Sequence, residues 1–294
     1  MDKTVILHAA FSVQVPVSVV IPCYRCENTI DEAVASVMQQ TALPTELILV
    51  EDCSGDEGRT LARLQQIRAQ NKSPVAITVF AQPENRGPGE ARNAGWAIAT
   101  QPLLAFLDAD DSWRPEKLAL QSGYMLAHAD IDLCCHDTVI LERGERLALS
   151  LDPMEVQALY LSEMLLSNRV ATRTVMLRTR ITPRFAPGLR YAEDYHLWLK
   201  ILACGHQAAK IKLPLAASYK ADFGEGGLSG HVAAMHAGAQ QCFGMLYRDQ
   251  LLNCTQFHLA RTAETLKYWY RIALLALRRS ITVSVDQLDV GKKK

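Results

Sequence analysis

From residue 17 onward the chain alternates short apolar runs with windows in which apolar residues recur at helical spacing. Val17–Ile21, Glu46–Glu51, Val75–Phe80 and Leu103–Leu107 have the length and apolar content of buried strands. Between the first two, Ile30, Ala33, Val34, Val37 and Met38 fall at i, i+3, i+4, i+7 and i+8, one buried face of a helix, with Asn28 as its expected N-cap. Leu61, Leu64 and Ile67 repeat the arrangement, and so do Ala91, Ala94, Gly95 and Ile98. Three strand–helix units in succession predict parallel strands, because a crossover helix returns the chain to pair in the same direction. Beyond Asp111 the rhythm loosens. A helix is predicted from about Pro115, short apolar runs follow at Ile131–Cys135 and Thr174–Leu177, and another helix runs from Glu193 to about Cys204. A flexible stretch is expected at Gly224–Gly230, followed by helical sequence. The predicted class is α/β, a Rossmann-like, mostly parallel sheet flanked by helices. The expected division is a catalytic domain over residues 1–225 and a helical C-terminal extension over residues 226–294.

Charge narrows the partners. Lys plus Arg and Asp plus Glu both total 31, so no surplus positive field favours the phosphates of nucleic acid. Met1–Ala10 lacks the basic start and apolar run of a signal peptide, and no stretch reaches the ~20 apolar residues that span a bilayer. The expected location is cytoplasmic, with peripheral attachment at the inner face of the membrane as the variant. Eight cysteines in such a context read as reduced thiols, and Cys23-x-x-Cys26 has no second pair to complete a zinc site.

In an open parallel sheet, ligands bind beyond the carboxyl ends of the strands. The first strand leads into Pro22, Tyr24 and Glu27, the second into Glu51, Asp52 and Ser54, the fourth into Asp108, Asp110 and Asp111. Tyr24 offers an aromatic face and Asp52 an acceptor for a base N–H. The last group is the sharpest signal, three carboxylates within four residues straight after a buried run. In extended backbone Asp108 and Asp110 point the same way, and a hard divalent cation would relieve their repulsion and neutralise a diphosphate. The plain alternative has Asp111 or Ser112 capping the next helix. Asn85-Arg86-Gly87-Pro88-Gly89-Glu90-Ala91-Arg92 adds a glycine-loosened turn before a helix whose Arg92 can fork onto phosphate. No third glycine follows Gly87-x-Gly89, so a dinucleotide fingerprint is excluded.

Taken in order, Val19-Val20-Ile21-Pro22-Cys23-Tyr24, Ser36–Thr41, Glu46–Ser54, Asn85-Arg86-Gly87 with Ala91–Gly95, Asp108-Ala109-Asp110-Asp111 and Glu193-Asp194-Tyr195-His196-Leu197-Trp198 resemble the motifs of family 2 inverting glycosyltransferases of the GT-A fold. The resemblance covers about residues 17–220. It implies transfer of a sugar from a nucleotide-diphosphate sugar, a UDP-sugar first among them, to a saccharide or lipid-linked acceptor in cell-surface polysaccharide or glycolipid synthesis. It further implies that Pro22, Tyr24, Glu27, Asp52, Arg92 and Asp108 line the nucleotide-sugar site and that Asp110, with Asp108, ligates Mn²⁺ or Mg²⁺. Asp194 becomes the general base, with Glu193 as the alternative. The family usually has aspartate where Glu51 stands and glycine where Cys53 stands.

On the residues alone, Glu193 and Asp194 are an acidic pair favoured by the dipole at a helix start, anchored by Leu197, Trp198, Ile201 and Leu202. His231 closes the glycine-rich stretch and is a further candidate for metal or diphosphate. Two competing functions are a sugar-nucleotide pyrophosphorylase, disfavoured because Pro22–Asn28 holds no glycine, and a catalytically silent sugar-nucleotide-binding protein. In the C-terminal segment, Leu266, Trp269, Tyr270, Ala273, Leu274 and Leu277 follow helical spacing. That stripe predicts packing against the core. With Lys267, Arg271, Arg278, Arg279 and the Lys292–Lys294 tail, it also suits peripheral contact with an anionic membrane.

Overall fold

The computed structural model describes residues 13–141, 154–219 and 231–290. Met1–Ala10, Gly224–Gly230 and Lys292–Lys294, all considered above, lie outside them, as do the side chains of Leu277, Arg278 and Arg279. The chain divides into two compact units. One is Met1–Ala158 with Val170–Arg184 and His206–Tyr219, and the other is Leu159–Arg169 with Phe185–Gly205 and Lys220–Lys294.

The first unit opens with the three predicted strand–helix repeats. These are β1 (Val13–Cys23), α1 (Ile30–Met38), β2 (Ala42–Glu51), α2 (Arg59–Gln70), β3 (Ala76–Ala81) and α3 (Pro88–Ile98), followed by β4 (Leu103–Phe106). β1 pairs in parallel with β2 and β4, and β2 with β3, as crossover connections require. Apolar side chains fill both faces of β1, where Val17, Val19, Val20 and Ile21 are fully buried. Pro88 occupies the first turn of α3, where its missing N–H costs nothing. Gly95 sits where α3 crosses the sheet, and a Cβ there would lie 2.4 Å from Val20 Cγ1.

Two local expectations give way. α1 starts after Thr29, and Asn28 does not cap it: the amides of Thr29 and Ile30 both donate to the Cys26 carbonyl. Asp111 and Ser112 cap no helix either. They belong to β5 (Asp111–Trp113), which pairs antiparallel with Ala216–Ser218. Then come α4 (Lys117–Ala127), β6 (Ile131–Ile140), β7 (Val156–Leu159), β8 (Met176–Arg178) and β9 (Gln207–Ser218). β9 pairs in parallel with β6, and β8 joins β4 to β6 by antiparallel pairing, so one mixed sheet runs β3-β2-β1-β4-β8-β6-β9-β5 with β7 beside β9.

The second unit is helical. It contains α5 (Leu161–Leu166), α6 (Glu193–Ala203), α7 (Val232–Arg248) and α8 (Cys254–Val290). Phe185 packs edge-to-face on Trp198, and Tyr195 edge-to-face on Phe243. α8 packs on α7 through a face holding Ala260 and the buried Glu264, whose carboxylate pairs with Lys267 and Arg271. Leu266, Trp269, Tyr270 and Leu274, expected on a packing face, are exposed instead.

Candidate active site

The carboxyl ends of β1, β2 and β4 lie side by side and carry the polar residues singled out from the sequence. Pro22 pairs opposite Val50 one residue before the end of β1, Tyr24 is exposed, and Glu27 is held 3.3 Å from Arg59. Arg25 links two of these ends: its Nε donates to the Ser54 carbonyl at 2.9 Å, and its guanidinium lies 5.2 Å from the Tyr24 ring centroid.

Asp52 is buried, and both of its carboxylate oxygens are hydrogen-bonded. Its Oδ1 accepts from Gln82 Nε2 at 2.8 Å and the Arg86 amide at 2.9 Å. Its Oδ2 accepts from Asn85 Nδ2 at 3.0 Å and the Gly87 amide at 2.8 Å. An ionised carboxylate offers about four acceptor positions, so a nucleobase N–H reaching Asp52 must share or displace one of these donors. The residue pins the Asn85–Gly87 turn to the end of β2, and Gly87 takes φ +88°, a conformation that favours glycine.

Glu51 and Cys53, the two departures from the family pattern, meet in one turn. Cys53 sits at φ +47°, in the left-handed region. Its amide and that of Ser54 donate to the Glu51 carboxylate at 3.2 and 2.7 Å.

After β4 the backbone turns sharply, closed by the Asp111 amide donating to the Asp108 carbonyl at 3.1 Å. The extended spacing that would point Asp108 and Asp110 the same way is therefore absent. Asp108 Oδ1 accepts from the buried Arg92 guanidinium at 2.6 Å, so α3 and the turn are joined by a charge-assisted bond. Asp111 faces inward, 3.4 Å from Arg173 Nη1. Its carboxyl is pushed up to about 7, by burial first, with the Asp108 and Asp110 charges adding to the rise and Arg173 opposing it. Arg173, Gln82 and Asn85 stabilise this site without standing out in the sequence; only the place of Asn85 inside the glycine turn hints at its role.

With Asp111 turned inward, Asp108 and Asp110 are the carboxylates of this turn left as hard oxygen donors of the kind that Mn²⁺ or Mg²⁺ accepts. Among the described residues no three His, Cys, Asp or Glu side chains converge into a ready-made cage.

Glu193, Asp194 and His231 belong to the second unit. Ala192, just before Glu193, takes φ +57° and accepts from the His196 amide and from Cys242 Sγ. Gly238 makes room for this bend, because a Cβ there would lie 2.5 Å from the Tyr191 carbonyl oxygen. Glu193 is buried, while Asp194 is partly open and its Oδ1 accepts from the Tyr195 amide at 2.6 Å. Strain of this kind at a helix start is a common mark of a functional position. His231 is exposed and lies edge-on to Tyr191.

Residues 18–179 match the family model described as glycosyl transferase family 2. The chain belongs to that family. It is 29% identical over 206 residues to an Escherichia coli protein named UDP-Glc:alpha-D-GlcNAc-diphosphoundecaprenol beta-1,3-glucosyltransferase WfgD, covering 67% of this chain and 77% of the relative. It is 30% identical over 208 residues to the succinoglycan biosynthesis protein ExoO of Rhizobium meliloti, covering 66% of this chain and 57% of that one. Among solved structures it is similar to Staphylococcus aureus TarS 1–349 in complex with UDP-GlcNAc, with a TM-score of 0.62 at 21% identity, over 83% of this chain and 70% of that one. The architecture of this glycosyltransferase is thus the GT-A fold predicted from its motifs.

Proposed function

We propose that this family member is an inverting, metal-dependent glycosyltransferase that moves a sugar from a UDP-sugar to the hydroxyl of a saccharide or lipid-linked acceptor in cell-surface polysaccharide synthesis. The observation that carries the reading is the carboxylate turn Asp108–Asp111, bound to Arg92 at the ligand-binding edge of the sheet. WfgD is named for a UDP-Glc donor, a lipid diphosphate acceptor and a beta product, the outcome that single displacement gives from an alpha-linked donor.

In this reading Tyr24 and Asp52 flank the nucleobase, with Asp52 sharing its carboxylate with the turn it pins. Pro22 and Glu27 shape the same wall. Asp108 faces the ribose and Arg92 the diphosphate. Asp110, helped by Asp108, would hold Mn²⁺ or Mg²⁺, which when bound offsets the charge developing on the leaving diphosphate. Asp194 takes the proton of the acceptor hydroxyl as its oxygen attacks the anomeric carbon. The bond from that carbon to the diphosphate breaks, and UDP leaves with the electron pair. The partly open carboxylate of Asp194 favours it over the buried Glu193 for this work. The reaction is assigned to the cytoplasmic side, where the protein meets its acceptors at the membrane's inner face.

Calorimetric titration with UDP tests the site. Binding that strengthens at least tenfold with Mn²⁺, and loses that gain in Asp110→Asn, is expected. Equal affinity with Mn²⁺ and with EDTA would remove the metal from the account.

A further inference from the structure

α8 has two unlike sides. Ala260 is fully buried and Glu264 is 5% exposed, on the face that packs against α7. On the opposite side, at the spacing of successive helical turns, Leu259, Leu266, Trp269 and Tyr270 are 54%, 67%, 62% and 66% exposed, with Leu274 at 38%. Single exposed apolar side chains are ordinary, but a run of five on one face over four turns is a surface that water does not favour.

Charge indicates what covers it. Residues 254–294 hold eight basic and three acidic side chains, a net charge of +5, while the whole chain sums to zero. Residues 1–253 therefore carry −5. A second copy meeting this segment side by side would bring +5 against +5, whereas an anionic surface is drawn to it. Among the described residues no helix is long and apolar enough to cross a membrane. Trp and Tyr together with Leu, on a helix with a cationic remainder, match the composition of helices that lie in the bilayer interface.

We propose that α8 is an interfacial anchor whose Leu259–Leu266–Trp269–Tyr270–Leu274 face enters the headgroup region of an anionic membrane. The inference extends the reading above, that acceptors are met at a membrane, by naming the surface and the lipid class. It does not depend on the enzyme's donor. The side chains concerned are directed to solvent, so polar replacements there leave the packed face intact.

Flotation of the full chain with vesicles of phosphatidylcholine alone, and of phosphatidylcholine with 30 mol% phosphatidylglycerol, tests it. Recovery is expected with the anionic vesicles only, is expected to be lost in 0.5 M NaCl, and should fall about tenfold in the triple variant Leu266→Ser, Trp269→Ser, Tyr270→Ser. Unchanged UDP affinity in that variant shows that its fold and donor site are intact. Equal flotation with neutral vesicles, or equal flotation by the triple variant, overturns the anchor. So does conversion of a wild-type dimer to a monomer by the same substitutions without any vesicle binding, which would assign the face to self-association. A chain that floats as described yet binds no UDP would leave the anchor standing and defeat the transferase reading instead.

Discussion

Asp52→Asn separates two roles that a single carboxylate could play. In the folded protein its two oxygens each accept two hydrogen bonds, from Gln82, Asn85 and the amides of Arg86 and Gly87. An amide keeps one acceptor oxygen and turns an N–H₂ group toward the two donors that faced the other. At least two charge-assisted bonds are lost, each worth about 1.5 kcal/mol or more, so the expected cost is roughly 3 kcal/mol. For a unit of this size that corresponds to a fall in Tm of about 6–12 °C. Thermal unfolding followed by circular dichroism, with and without UDP, is the assay. A variant melting within ~2 °C of wild type while losing UDP affinity would refute the reasoning, because it would make Asp52 a ligand reader with no structural duty.

Cys53→Gly relieves a left-handed backbone without removing a buried side chain, and chemical denaturation should find it more stable by about 0.5–1 kcal/mol. Gly95→Ala forces a methyl to within 2.4 Å of Val20 Cγ1, and the same assay should show a loss of about 1–3 kcal/mol from overpacking. His196 is buried with neither ring nitrogen bonded, and burial first, then the Lys200 charge, lowers its pKa from 6.5 to about 4. Folding thus favours the neutral ring. Its contribution, up to roughly 3 kcal/mol, is complete above pH 6.5 and lost as pH falls toward 4, and His196→Met should flatten stability across that window.

The parallel half of the sheet was legible because β1, β2 and β4 are buried on both faces and read as continuous apolar runs. β9 was not. Its Ala208, Ala209, Lys210, Lys212 and Pro214 are poor strand formers, and only the alternation of Ile211, Leu213 and Leu215 marks an inward face. β5 is three residues long and owes its form to the pairing partner that β9 supplies. Asp111 shows the same dependence on long-range contact: a carboxylate beside two others reads as a cap or a ligand, and only Arg173, 62 residues away, reveals it as buried. Asp108 and Arg92 were legible singly, their pairing was not. The exposed side of α8 ran against the sequence pattern because helical spacing reports an apolar face and is silent on whether protein covers it.

The most direct test of sugar transfer is UDP release from UDP-glucose and UDP-GlcNAc in the presence of Mn²⁺ and a GlcNAc-diphospholipid acceptor, with product configuration read by NMR. Acceptor-dependent release giving a beta linkage is expected, abolished by Asp110→Ala and reduced by about 10² to 10⁴ in Asp194→Asn with UDP binding retained. An alpha-linked product, or full activity in Asp194→Asn, would contradict the proposed inverting transfer.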